Sequence, residues 1–142
     1  MNEKICELPE GYVPSDKEEF MNDLQREYFR GKLIQWKEDI IRDAENVKQY
    51  LQEESASSAD VADRASSESD LAYELRSKDR ARKLVHKINE ALLRIKNGTY
   101  GYCEETGEPI SLKRLEARPV ATLSLEAQER HEKQELVRKD EN

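Results

Sequence analysis

Glu54-Ser-Ala-Ser-Ser-Ala-Asp60-Val-Ala-Asp63-Arg-Ala65 is the stretch where the apolar rhythm of this chain breaks. Before it, Phe20, Leu24, Tyr28, Phe29, Leu33, Trp36, Ile40, Ala44, Val47 and Leu51 recur at helical spacing, with no proline among them. After it, Leu71, Leu75, Ala81, Leu84, Val85, Ile88, Ala91, Leu92 and Ile95 do the same. Small polar residues compete with a helix for its backbone hydrogen bonds, so the segment between reads as a turn. The two helices then fold back on each other, and their narrow apolar stripes suit an antiparallel coiled coil. Asp60 and Asp63 fall at the far end of that hairpin, where either can also cap the second helix.

Composition agrees with long, solvent-covered helices. Of 142 residues, 36% are apolar, 39% charged and 6% aromatic, which leaves little for a wide core. The net charge of −7 argues against a protein whose main task is gripping nucleic-acid phosphates. Charge is strongly patterned. Between Glu53 and Asp70 the acids Glu53, Glu54, Asp60, Asp63, Glu68 and Asp70 face only Arg64. Between Arg76 and Lys87 the bases Arg76, Lys78, Arg80, Arg82, Lys83 and Lys87 face only Asp79. An acidic tip is thus followed by a basic shaft, which reads as a solvated face or as a phosphate-binding one. Arg80, Leu84 and Lys87 share one face of it. Two distant cysteines, Cys6 and Cys103, imply no disulfide framework. No stretch has transmembrane length or the pattern of a signal peptide, so a cytoplasmic protein is expected.

The chain divides into an irregular segment at 1–15, a leading helix at 16–32, a coiled-coil hairpin at 33–97 with its tip at about 55–65, and a head with a C-terminal helix at 98–142. Ser15 or Asp16 is the expected cap of the first helix, and Gly31 its expected break. Asn97-Gly98 should stop the second helix, which begins between Ala59 and Ala65. Leu112–Leu115 reads as one helical turn ended at Arg118-Pro119, and Ser124 as the cap of the final helix.

Tyr100-Gly-Tyr-Cys103, a glycine turn, and a helix start about twenty residues on make the frame of a four-cysteine zinc ribbon. Only Cys103 keeps a thiol. Thr106, Ser124 and Ala127 hold the other three ligand positions, and neither a hydroxyl nor a methyl replaces a thiolate on zinc. The reading is therefore a zinc-knuckle fold with no metal and no cofactor, tightened by Tyr100, Tyr102, Ile110, Leu115, Leu123 and Leu125. His131 and His86 read as surface residues. Cys103 is also a candidate redox-sensing thiol if the glycine turn exposes it.

Taken together, Asp60-x-x-Asp63-Arg-Ala65, Glu74-Leu-Arg-x-x-Asp79-Arg-x-Arg-Lys-Leu84, Tyr100-Gly-Tyr-Cys103-Glu and Arg114-Leu-Glu-Ala-Arg-Pro119 resemble the DksA/TraR family of bacterial transcription factors, in its cysteine-poor form. The resemblance spans about residues 17–138. It implies a mainly α fold, a coiled-coil hairpin on a small zinc-finger-like head with a C-terminal helix. It implies a monomeric factor without enzymatic activity that binds no DNA. Such a factor inserts its coiled coil into the secondary channel of RNA polymerase, against the beta-prime subunit, with Asp60, Asp63 and Ala65 at the tip near the active centre. It also implies guanosine tetraphosphate as co-effector at Arg80, Leu84, Lys87 and Arg118, with Gln128 in place of the family's usual lysine. Set against this are a plain coiled-coil adaptor and a redox-responsive regulator working through Cys103.

Overall fold

The structure is a computed structural model that describes residues 3–57 and 62–141; within these, side chains at 54–57, 62–67 and 141 are not described. Four helices follow in order: α1 (Asp23–Ser57), α2 (Ala62–Asn97), α3 (Leu112–Ala117) and α4 (Leu125–Glu141). The only pairing of extended backbone among the described residues is an isolated antiparallel bridge between Tyr102 and Pro109. The fold is mainly α, as the periodicity implies. No helix among the described residues is long and apolar enough to cross a membrane.

The start of α1 differs from the expectation, and local hydrogen bonding explains why. Asn22 is the cap: its Oδ1 accepts from the Gln25 backbone N–H at 2.8 Å, and its carbonyl accepts from Arg26 N–H at 3.0 Å. Gln25 reaches back and accepts from Met21 N–H at 2.8 Å, a reciprocal arrangement close to a capping box. Met21 turns the chain into the helix with a left-handed φ of 53°. Ser15 instead closes a turn, accepting from Lys17 N–H through its hydroxyl and from Glu18 N–H through its carbonyl. Gly31 does not divide α1. It is exposed and carried through, because the loss from one helical glycine is about 1 kcal/mol and the packed turns on either side outweigh it. Glu54–Ser57, read as turn, form the last turn of α1.

The chain forms two compact units. One is Met1–Leu33 with Glu90–Asn142, the other Ile34–Asn89. In the second unit α1 and α2 run antiparallel. Lys37 donates to Asn89 Oδ1 at 2.9 Å, and further along Ile41, Ala44 and Lys48 share a groove with Val85, Arg82 and Lys78. As α1 advances its partner residues recede. Ile88 and Leu51 are buried in this unit, while Ile41, Leu71 and Leu75 are half exposed, as a narrow seam requires.

The first unit has the denser core. Phe29, Leu33, Ile95, Tyr100, Ile110 and Leu115 are almost fully enclosed. Tyr100 packs its ring 5.7 Å from that of Phe29 and donates its hydroxyl to the Pro119 carbonyl at 2.8 Å. Gly98, at φ 82°, ends α2, and the Thr99 N–H returns to the Arg94 carbonyl at 2.9 Å. Gly101 is required twice over. Its φ is 90°, and a Cβ there would sit 3.1 Å from the Met21 side chain. Ser111 caps α3 by accepting from Arg114 N–H, and Ser124 caps α4 by accepting from Ala127 N–H at 3.3 Å. Two of the residues expected to tighten the head do less than supposed. Leu125 is exposed, and Tyr102 is partly exposed, its ring edge to face with Phe20 at 5.4 Å.

Among the described residues one ion pair of this unit is buried. Arg30 donates Nε and Nη2 to the two oxygens of Glu27 at 2.7 and 2.6 Å, with side chains 9% and 5% exposed. Glu27 also accepts the Ile5 backbone N–H at 2.9 Å, tying the N-terminal segment to α1. The Arg30 hydrogen bonds, against the opposing effect of burial, hold the Glu27 carboxyl below its ordinary range. Removing one partner of such a pair strands the other charge. Glu27→Ala is expected to lower unfolding stability by about 3 kcal/mol in urea titration. A depressed carboxyl stabilises above its unfolded value, about pH 4.3, and that contribution disappears as pH falls through the folded value. Glu27→Gln should therefore show a shallower loss of stability below about pH 4 than the parent protein.

Candidate functional site

Of the expected ligand positions of the head, Cys103, Thr106 and Ser124 are assembled, although only Cys103 among them is a zinc donor. Cys103 N–H donates to the Glu108 carbonyl at 2.8 Å, Gly107 N–H donates to the Cys103 carbonyl at 2.9 Å, and Gly107 has a φ of 73°. This tight turn folds Thr106 back onto the cysteine. Glu104 N–H donates to Thr122 O at 2.9 Å, which brings the start of α4 alongside. Cys103 is buried, only 2% exposed, so the glycine turn does not present it to solvent as a sensing thiol would require. Burial raises the thiol's pKa, but hydrogen bonds from the Ser124 backbone, the Thr106 side chain and the backbones of Thr106 and Glu105 outweigh it and lower the value to about 6. Three of the four ligand positions thus meet at one sulfur. The fourth, Ala127, is fully buried. Cys6 behaves oppositely: burial and the charges of Glu27 and Asp23 raise its thiol, whose sulfur donates to the Asp23 carbonyl.

His131 is hydrogen-bonded to Glu105, with Arg130 3.9 Å from the same carboxylate, a link between α4 and the knuckle that sequence reading missed. A second missed network joins α1 to α3. Tyr28 donates to Glu116 Oε1, and Lys32 Nζ donates to the same oxygen and to the Glu116 carbonyl. Burial raises the Glu116 pKa, and these two partners more than reverse it. Neither network has a short sequence signature, because each glutamate lies 25 or more residues from its partners.

The remaining expected site residues fall in different units. Arg80 and Lys87 are exposed and Leu84 half-buried on α2, within Ile34–Asn89. Arg118 is exposed at the end of α3, and Gln128 is half-buried on α4, its amide donating to Glu132 at 3.3 Å. Asp60 lies outside the described residues. Asp63 and Ala65 lie in the first turn of α2, and their side chains lie outside what is described.

Comparison with known proteins bears directly on this architecture. Residues 25–95 match the family described as the DnaK suppressor protein DksA, N-terminal domain. Residues 98–133 match the prokaryotic dksA/traR C4-type zinc finger. The chain is 60% identical over 129 residues to a protein of Caulobacter vibrioides named RNA polymerase-binding transcription factor DksA, covering 91% of each.

This chain belongs to the DksA family.

A relative of the same name from Escherichia coli K12 is 38% identical over 117 residues, covering 82% of this chain and 78% of its own. The solved structure of transcription factor DksA2 from Pseudomonas aeruginosa superposes with a TM-score of 0.74 at 42% identity, over 82% of this chain and 89% of that one. These relatives are named as transcription factors rather than enzymes.

The zinc-finger match corrects one expectation. The chain reads from its sequence as having no cofactor and no zinc, whereas a C4-type zinc finger at 98–133 points to a zinc-binding domain. The donors themselves do not complete a tetrahedral site. Cys103 is the one thiol at the four ligand positions, and among the described residues no three His, Cys, Asp or Glu side chains group to hold a metal ion.

The two thiols should separate cleanly on titration. In a Cys6→Ser background, thiolate absorbance at 240 nm is expected to rise with a midpoint near pH 6. Thr106→Val removes one hydrogen bond to the sulfur and should move that midpoint upward by about one pH unit.

Proposed function

We propose that this protein binds bacterial RNA polymerase directly and regulates transcription initiation without binding DNA. What carries the reading is the 60% identity, over nine-tenths of both chains, to a protein named for polymerase binding. The antiparallel pair of helices in Ile34–Asn89 suits the part assigned to the coiled coil, residues 33–97 with a tip at about 55–65. From Ile34 to Ser57, at about 1.5 Å per residue, α1 alone supplies roughly 35 Å of reach.

In this proposal the coiled coil enters the secondary channel, against the beta-prime subunit, and carries Asp60, Asp63 and Ala65 towards the catalytic centre. Carboxylates there form charge-assisted hydrogen bonds with mobile elements of the polymerase. They bias the balance between open and earlier promoter complexes, and the factor itself makes or breaks no bond. Ala65 is small and permits close approach. Guanosine tetraphosphate binds at the interface through Arg80, Leu84, Lys87 and Arg118. Gln128 brings a hydrogen-bond donor there without a charge. The protein acts as a monomer in the cytoplasm. The burial of Cys103 weighs against redox sensing as the main activity.

The test is transcription in vitro from a ribosomal-RNA-type promoter, with and without guanosine tetraphosphate. Asp63→Asn should bind polymerase within about threefold of the parent affinity, yet lose regulation of the promoter. A plain adaptor would tolerate the change. Photocrosslinkers beside residue 63 that never capture catalytic subunits would rule out the channel geometry.

A further inference from the structure

The first unit contains a cavity of about 370 Å³ that none of the readings above uses. It lies where the first turns of α1 meet the last turns of α2, with the N-terminal segment as its third wall. Lys4, Arg26, Arg30 and Lys96 line it, over an apolar floor of Leu92 and Ile95. Glu3 is the one acid on its lining.

These cations are not all neutralised by their neighbours. The Lys96 side chain has no hydrogen bond or ion pair among the described residues. Lys4 has only a loose, exposed pairing with Glu7 at 3.8 Å. Arg26 pairs with Asp23, whose side chain is 70% exposed, so solvent screens the contact. Arg30 uses Nε and one terminal nitrogen on Glu27, which leaves its other terminal nitrogen available.

Backbone electrostatics are nearly balanced at the cavity. Asn22 takes the Gln25 and Arg26 N–H groups at the start of α1, and the Arg94 and Ile95 carbonyls at the end of α2 accept from Thr99, Tyr100 and Gly98. The side-chain cations therefore decide the sign of the cavity. The wall is also preformed, since Glu27 clamps the Ile5 N–H. Ile5, Leu92 and Ile95 supply the apolar part of the lining, the surface that an apolar group would meet.

We infer that this cavity binds a small organic anion, a phosphate or carboxylate head on a short apolar body, with Lys96 and Arg30 holding the head and Leu92 and Ile95 the body. The site lies wholly within the first unit and requires no polymerase.

Hexyl phosphate and hexanoate, added separately to the full-length protein and followed by amide NMR shifts, test it. Saturable shifts confined to residues 3–5, 26–30 and 92–96 are expected from at least one, and which one identifies the head group. Hexanol, with the same body and no charge, should bind at least tenfold more weakly. Lys96→Gln should weaken binding about tenfold, Lys96→Arg should restore it, and Lys139→Gln on α4 should leave it unchanged. Lys96 is exposed, and an unaltered urea midpoint would confirm that the variants fold. No saturable shift with either anion, equal affinity for hexanol, or full affinity in Lys96→Gln would overturn the inference.

Discussion

The first unit depends on a single buried ring. Tyr100 stands between Phe29 of α1 and the loop after α3, and its hydroxyl ends on the Pro119 carbonyl. A buried phenol must find a partner or lose the benefit of its burial. Here the partner is a carbonyl whose own residue cannot donate and whose ring closes a short helix. The ring can take this position only because Gly98 turns the chain out of α2 two residues earlier and Gly101 leaves room for Met21 one residue later. Burial, hydrogen bonding and backbone freedom therefore meet at four consecutive positions, 98 to 101.

Much of this was legible in one dimension. The apolar rhythm identifies two long helices, and the Asn97-Gly98 stop and the cap at Ser124 follow from side chains acting on their own neighbours. The start of α1 was not legible in the same way. Ser15 and Asn22 both qualify as caps, and what decides between them is Gln25, which lies three residues after one and ten after the other. Gly31 misled for the opposite reason, since a propensity of about 1 kcal/mol cannot compete with turns packed on both sides.

The candidate site divides along the same line. Cys103, Thr106 and Ser124 meet at one sulfur through turn and cap chemistry that is local in sequence. Sequence reading finds the zinc-finger frame of the head but takes the site as metal-free, and the C4-type zinc-finger match corrects that second part. It does not reach the Glu116 and Glu105 networks, whose partners come together only through tertiary packing. The cavity beside Lys96 is invisible for a like reason: its cations come from the amino terminus, the start of one helix and the end of another.

The Asn22–Gln25 cap also sets the angular phase of everything that follows it in α1. Each residue advances a helix by about 100°. An amino acid gained or lost in the turns ahead of Asn22 is taken up by those turns. The same change just behind it swings the whole apolar stripe, from Phe29 to Leu51, away from the partner it faces. A few hydrogen bonds at the mouth of the helix thereby act as the timing mark for an interface that extends seven turns beyond them.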